Sequence, residues 1–334
     1  MSMKVLKPGL LTSIQDLGRY GYQKHGVIVS GAMDSYSLRI ANLLVGNEED
    51  EAALEITLMG PTLRIEQDSL LAITGGDLSP TVDGKSIPMW RPVYVKSGSV
   101  IQFGACKLGC RSYLAVAGGY DVPEVMGSRS TYLRAGVGGY QGRALKEGDQ
   151  LSYKFPFELS IQVMQNLIRE ISSSSFFSTS WSVGREYIPQ DSLLIKVRVM
   201  RGSQFEQFTV DSRNQFFSSP FQVTPQSDRM GYRLSGPILE LAEPLEMISE
   251  AVSLGTIQVP SDGNPIILLA DRQTVGGYPR IAQVIQVDIP VIAQMKPGSK
   301  ILFQEISLDE AEELYFEKER SIQDLKAGIR LRLK

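Results

Sequence analysis

Between Leu54 and Val116 the chain is cut into short β-rich runs by turn formers, and this punctuation limits the folds open to it. The runs are Leu63–Ile65, Leu70–Ile73, Met89–Val95, Val100–Phe103 and Tyr113–Val116, and the breaks are Gly75-Gly76, Asp83-Gly84 and Ser97-Gly98. Such dipeptides close hairpins, whereas a parallel βαβ unit needs a crossover of a dozen or more residues. The pattern predicts a barrel or sandwich, mainly β with a few helices.

At 334 residues there is room for two domains with separate cores. We expect an N-terminal barrel domain with Gly-rich loops over residues 1–155, a helical and Ser-rich connector over 156–190, and a C-terminal barrel domain with a terminal helix over 191–334. The connector reading rests on an amphipathic stretch, Leu159–Ile171, followed by Ser172-Ser-Ser-Ser. Strands resume at Leu193–Val199. Two partial matches between the halves, Lys96–Phe103 with Lys296–Phe303 and Gly60–Leu63 with Gly236–Leu239, suggest a tandem duplication without showing it, since the intervals between them differ and chance could supply one such match.

Composition closes off several classes of function. A formal charge of −3 and the lack of a basic run argue against nucleic-acid binding. No apolar run is long enough to span a bilayer and the first residues lack a secretory core, so the expectation is a cytoplasmic protein with no membrane association. Cys106 and Cys110 read as reduced thiols on one strand face. With a single histidine in the chain, they lack the partners of a zinc site, and no metal is expected.

Along the chain, Gln15–Gly26 carries three glycines and reads as an exposed loop. His25 lies in it; with no Ser, Cys or metal-ligand pattern beside it, it reads as solvated rather than as a general base. Asp34 or Ser35 caps a helix with Leu38, Ala41 and Val45 on one face, and Asn47 is expected to cap a second short helix at Glu48–Glu51. The glycine-dense section Gly118–Gly148 lacks Walker spacing, and Gln141 occupies the place of the third glycine in a dinucleotide fingerprint. It reads as a surface bend in which Arg129 or Arg143 could hold an anion. Ser307-Leu-Asp-Glu310 is a capping box for a helix packing through Ala311, Leu314, Tyr315, Ile322 and Leu325.

The stretch Gly255–Pro279 concentrates recognition chemistry. Ile266–Leu269 reads as a strand buried on both faces, flanked by polar loops that supply Gln258, Asp262, Asp271, Arg272, Gln273 and Tyr278. Gly276-Gly277 allows positive φ or a close approach.

Taken together, Gln15–Arg19, Ser30–Asp34, Gly127–Thr131, Ser227–Gly231, Gly255–Pro260 and Asp271–Pro279 closely resemble the KipA/PxpC family, also called allophanate hydrolase subunit 2 or the biotin-dependent carboxyltransferase domain. The resemblance spans nearly the whole chain. It implies two tandem cyclophilin-like β-barrel domains and a KipI/PxpB-type partner subunit. Three functions occur in the family. The first is the C subunit of an ATP-dependent 5-oxoprolinase, acting with a PxpA-type and a PxpB-type subunit to convert 5-oxoproline to glutamate. The second is a regulator that antagonises a KipI-like inhibitor of a sporulation histidine kinase. The third is carboxyl transfer from biotin to urea or another amide. The chain lacks a phosphate loop, and Gln294-Met-Lys-Pro297 lacks the second methionine of a biotinyl turn. We therefore expect no cofactor on this chain alone, with ATP used by the assembled complex and biotin involved only under carboxyl transfer.

For a lactam or amide substrate, the resemblance and the chemistry together nominate Asp271 and Gln258 as catalytic. Asp271 would accept from the N–H, and Gln258, Gln273 or Tyr278 would donate to the carbonyl oxygen. Arg19 or Arg272 would fork onto a carboxylate. Gln15, Asp34, Arg129, Asp228 and Arg229 complete the expected binding set.

Overall fold

A computed structural model describes residues 1–170, 174–189 and 194–333. The chain forms two compact units, one made of Met1–Gly18, Asp34–Gln190 and Arg320–Lys334, the other of Arg19–Met33 and Asp191–Glu319. Both are predominantly β.

The first unit holds two six-stranded sheets. One contains the strands Ser2–Lys7, Thr62–Ile65 and Val100–Gln102; the other contains Leu11–Gln15, Ala53–Thr57, Ser69–Asp77 and Leu108–Val116. Alternating residues of both sheets, such as Val5, Leu63 and Ile101 against Ile56, Ile73 and Leu114, meet in one core. That is the packing expected of strands with one apolar face each. The helix Ser35–Leu44 packs on Ser69–Asp77 and Leu108–Val116.

The second unit closes a seven-stranded barrel. Leu194–Arg201 runs parallel to Lys300–Glu305 and antiparallel to Arg280–Val284. Thr256–Gln258, Ile266–Leu268, Gly231–Ser235 and Phe221–Val223 complete the ring. Its core includes a cluster of Phe216, Phe221 and Phe303, the first and last stacked 4.6 Å apart. Phe216 comes from the helix Val210–Ser218, whose first turn is capped by the Thr209 hydroxyl.

Several local expectations change. Ile266–Leu268 alternates, with Ile267 and Leu269 inside and Ile266 and Leu268 half-exposed, because a barrel wall has one inner face. Residues Glu48–Glu51 are not helical. The Asn47 amide instead donates to Asn42 Oδ1 and Val116 O, and its oxygen accepts from Gly118 N. Cys110 is buried in its strand while Cys106 precedes that strand, so they share no strand face. Gln15, Asp16 and Arg19 are buried, which leaves only Tyr20–Tyr22 and Lys24–Gly26 as the exposed part of that loop. The amphipathic connector helix runs Glu158–Glu170; Ile171, Ser172, Ser173 and Leu193 lie outside the described residues.

The capping box is present: the Ser307 N–H donates to Glu310 Oε2 (2.8 Å) and the Glu310 N–H to Ser307 Oγ (3.2 Å). The helix Leu308–Leu333 buries Ala311, Ile322 and Ile329, while Tyr315 is exposed.

Candidate functional site

In the barrel unit the site is built by strand pairing. Gly231 pairs with Leu268, so the chain entering one strand runs beside the chain leaving the other. Two more backbone bonds extend that pairing, from Leu269 N to Met230 O (2.9 Å) and from Asp271 N to Arg229 O (2.8 Å). The side chains of Arg229 and Asp271 are thereby set side by side. Arg229 Nε donates to Asp271 Oδ2 at 2.9 Å and Nη2 to Oδ1 at 3.0 Å, a two-bond fork buried from water. The same Nη2 donates to Gly31 O (2.6 Å), and Ser30 Oγ donates to Asp271 Oδ1 (2.8 Å). Ser30 adopts a left-handed backbone (φ 57°), a costly conformation for a non-glycine residue that the ion pair helps to fix. Exposed Asp228 folds back on its own turn, accepting from the N–H of Met230 (2.7 Å) and Gly231.

Past Asp271 the loop carries Arg272, half-buried, whose Nη1 donates to Leu269 O (3.3 Å) and whose buried Nε meets no acceptor. Burial lowers the Arg272 pKa from its ordinary value, and the Tyr20 phenol acts in the opposite direction. Gln273 and Tyr278 are exposed. Gln258 is buried on the strand Thr256–Gln258, its Nε2 3.5 Å from Tyr278 O. A Cβ on Gly276 would collide with that amide nitrogen, so glycine here serves close approach; neither Gly276 nor Gly277 has positive φ. Arg19 is fully enclosed in the same unit, its N–H donating to Val29 O (2.8 Å).

The remaining expected residues lie in the first unit. Gln15 Nε2 donates to Ser13 Oγ (3.0 Å) and Thr131 O (3.2 Å), leaving its buried Oε1 without a partner. Beside it, Asp16 gathers the hydroxyls of Ser128 and Ser130 and the N–H groups of Gly18 and Arg129, tying two loops over a hundred residues apart. Arg129 pairs with Glu124 at 3.2 Å. The Asp34 carboxylate caps its helix by accepting from Ser37 N (2.9 Å) and Ser37 Oγ (2.6 Å). The Asp34 N–H donates to Tyr113 Oη, which donates in turn to Glu55 Oε2 (2.8 Å). Burial, with the Glu55 and Asp34 carboxylates nearby, pushes the Tyr113 phenol well above its usual range and keeps it a neutral donor.

The structure thus joins Arg229 with Asp271 and adds Ser30, which the sequence reading missed. Asp16 was also missed, although its position two residues before Gly18 is a turn signal. The section Gly136–Arg143 packs on itself: Gly142 N donates to Gly138 O (2.8 Å), and Arg143 is spent on a fork to Asp149 (2.7 and 2.8 Å). That is no cradle for a phosphate, whose oxygens need outward-pointing amides. Among the described residues no group of three or more His, Cys, Asp or Glu could hold a metal ion, and no helix is long and apolar enough to cross a membrane.

Residues 25–305 match the family described as carboxyltransferase domain, subdomain A and B. The chain is 38% identical to the C subunit of the 5-oxoprolinase of Escherichia coli over 323 residues, covering 95% of this chain and 97% of that protein. It is 38% identical to the protein of the same name from Haemophilus influenzae over 320 residues, 94% of this chain and 96% of that one. Among solved structures, the urea carboxylase of Kluyveromyces lactis superposes with a TM-score of 0.87 at 34% identity; the match covers 98% of this chain but 29% of that one.

Proposed function

Since the chain belongs to the carboxyltransferase-domain family of subdomains A and B, we propose that it works as the C subunit of a multi-subunit 5-oxoprolinase, opening 5-oxoproline to glutamate with A and B subunits. End-to-end similarity to two proteins of that name carries the reading. ATP is used by the assembled complex, and the self-packed Gly136–Arg143 section supports placing it on the other subunits. The partner that contacts this chain is of the KipI/PxpB type, and the PxpA-type protein completes the set.

The chemistry is assigned to the barrel rim. Asp271 Oδ2 accepts one bond, from Arg229, and retains capacity for a lactam N–H. Gln258, Gln273 and Tyr278 supply donors for the carbonyl oxygen, where a developing oxyanion gains most from a fixed donor. Asp228 and Arg229 hold the rim.

Mixing the chain with A and B subunits, ATP and 5-oxoproline should release glutamate well above any two-component mixture. Equal release without this chain would defeat the assignment. A second reading, carboxyl transfer to urea or an amide with biotin carried elsewhere, is favoured by the 0.87 superposition on a urea carboxylase; urea-dependent turnover of carboxybiotin would reveal it.

A further inference from the structure

The arginines of the barrel unit are not used alike. Arg198 forks onto Asp288, Arg201 onto Glu305, and Arg229 onto Asp271, while Arg280 reaches Glu250. Arg272 is half-buried and has no carboxylate partner among the described residues; its Nε is buried without an acceptor, and its one bond goes to a neutral carbonyl. A guanidinium stays protonated, so a partly desolvated one without a counter-charge raises the energy of the empty protein. It lies one residue from the Arg229–Asp271 pair.

We propose that Arg272 is the carboxylate-binding residue of the site and that it selects a carboxylate-bearing lactam over a neutral amide such as urea. The proposal rests on the 5-oxoprolinase reading and picks one arginine from those the sequence offers. Arg229 is already saturated by Asp271 and Gly31, and Arg19 is fully enclosed. A carboxylate meeting Arg272 at its Nη groups would neutralise the charge.

The test compares 5-oxoproline with 2-pyrrolidinone, the same lactam without its carboxylate, using wild type, Arg272→Gln and Arg272→Lys in the assembled complex. Calorimetry should show 5-oxoproline binding about tenfold to a hundredfold weaker to Arg272→Gln, the scale of a charge-assisted bond. Arg272→Lys keeps the charge but not the fork and should fall between. KM for 5-oxoproline should rise by a similar factor with kcat much less changed. Without ligand, Arg272→Gln should melt no lower than wild type, because the uncompensated charge is gone; a merely structural arginine would lower it. Unchanged 5-oxoproline affinity in Arg272→Gln, equal binding of both lactams, or binding of neither would overturn the proposal. A complex that binds 5-oxoproline through Arg272 yet forms no glutamate would overturn the functional reading alone.

Discussion

Asp271 and Gln258 are anchored differently, and the difference decides which one probes chemistry cleanly. Removing the Asp271 carboxylate leaves Arg229 charged and buried and takes away the acceptor of the Ser30 hydroxyl, so Asp271→Ala should destabilise the chain by about 3–5 kcal/mol besides lowering turnover. Arg229→Ala in the Asp271→Ala background should cost far less than Arg229→Ala alone; urea melts of the four proteins measure that coupling. Gln258 carries no charge, and its side chain makes a single 3.5 Å contact to Tyr278 O among the described residues, so Gln258→Ala should destabilise the chain less than Asp271→Ala does, by the cost of the small cavity its buried side chain leaves. It should slow the assembled enzyme by about tenfold or more, the scale of a deleted oxyanion donor. Full activity in Gln258→Ala would remove it from the site. The sequence showed the polar residues around Asp271 but not Ser30, because a contact across 241 residues leaves no local trace. Helix caps such as Asp34 were legible because their partners lie three residues away.

At the level of elements, the legible features were those whose partners are local. The Ser307 capping box, the Ser35–Leu44 helix and most strand cores were readable, whereas burial of one face or two depends on whether a sheet closes, which is non-local. The internal matches separate cleanly. Gly98 N donates to Ile65 O and Ile65 N to Ser99 O; Gly298 N donates to Val223 O and Val223 N to Ser299 O. The two turns are structural equivalents, with φ of 85° and 94° at the glycines. Gly60 precedes the strand partnered by the first turn, but Gly236 follows a different strand, so that match is coincidental. A Cβ meets nothing within 4 Å at Gly98 and only Gln222 Nε2, at 3.8 Å, at Gly298. Gly98→Ala and Gly298→Ala should therefore each cost only the left-handed penalty, about 1–2 kcal/mol, and equally. Chemical denaturation of the two variants checks this; a cost near zero at either would mean its turn relaxes.

For the whole molecule, the mainly β class was legible from turn spacing and room for two units from length, but the interleaving of the units was not, since strand periodicity carries no information on which distant segment joins which core. Met33 belongs to the barrel's core, and residues 320–334 belong to the first unit, where Tyr187 bonds Ser321 and Lys326 reaches Glu49 at 3.1 Å. A fragment ending at residue 190 lacks those partners and also carries residues 19–33 without the barrel they complete. Hydrogen exchange on residues 35–50 should be faster in that fragment than in the full chain; equal protection would show that residues 320–334 are dispensable. During synthesis on a ribosome this imposes an order. Residues 19–33 leave the exit tunnel long before the barrel strands exist, and the first unit stays open until its last fifteen residues follow. Neither unit can be completed before residues 191–334 have emerged, so the nascent chain must keep two unfinished cores from aggregating until then.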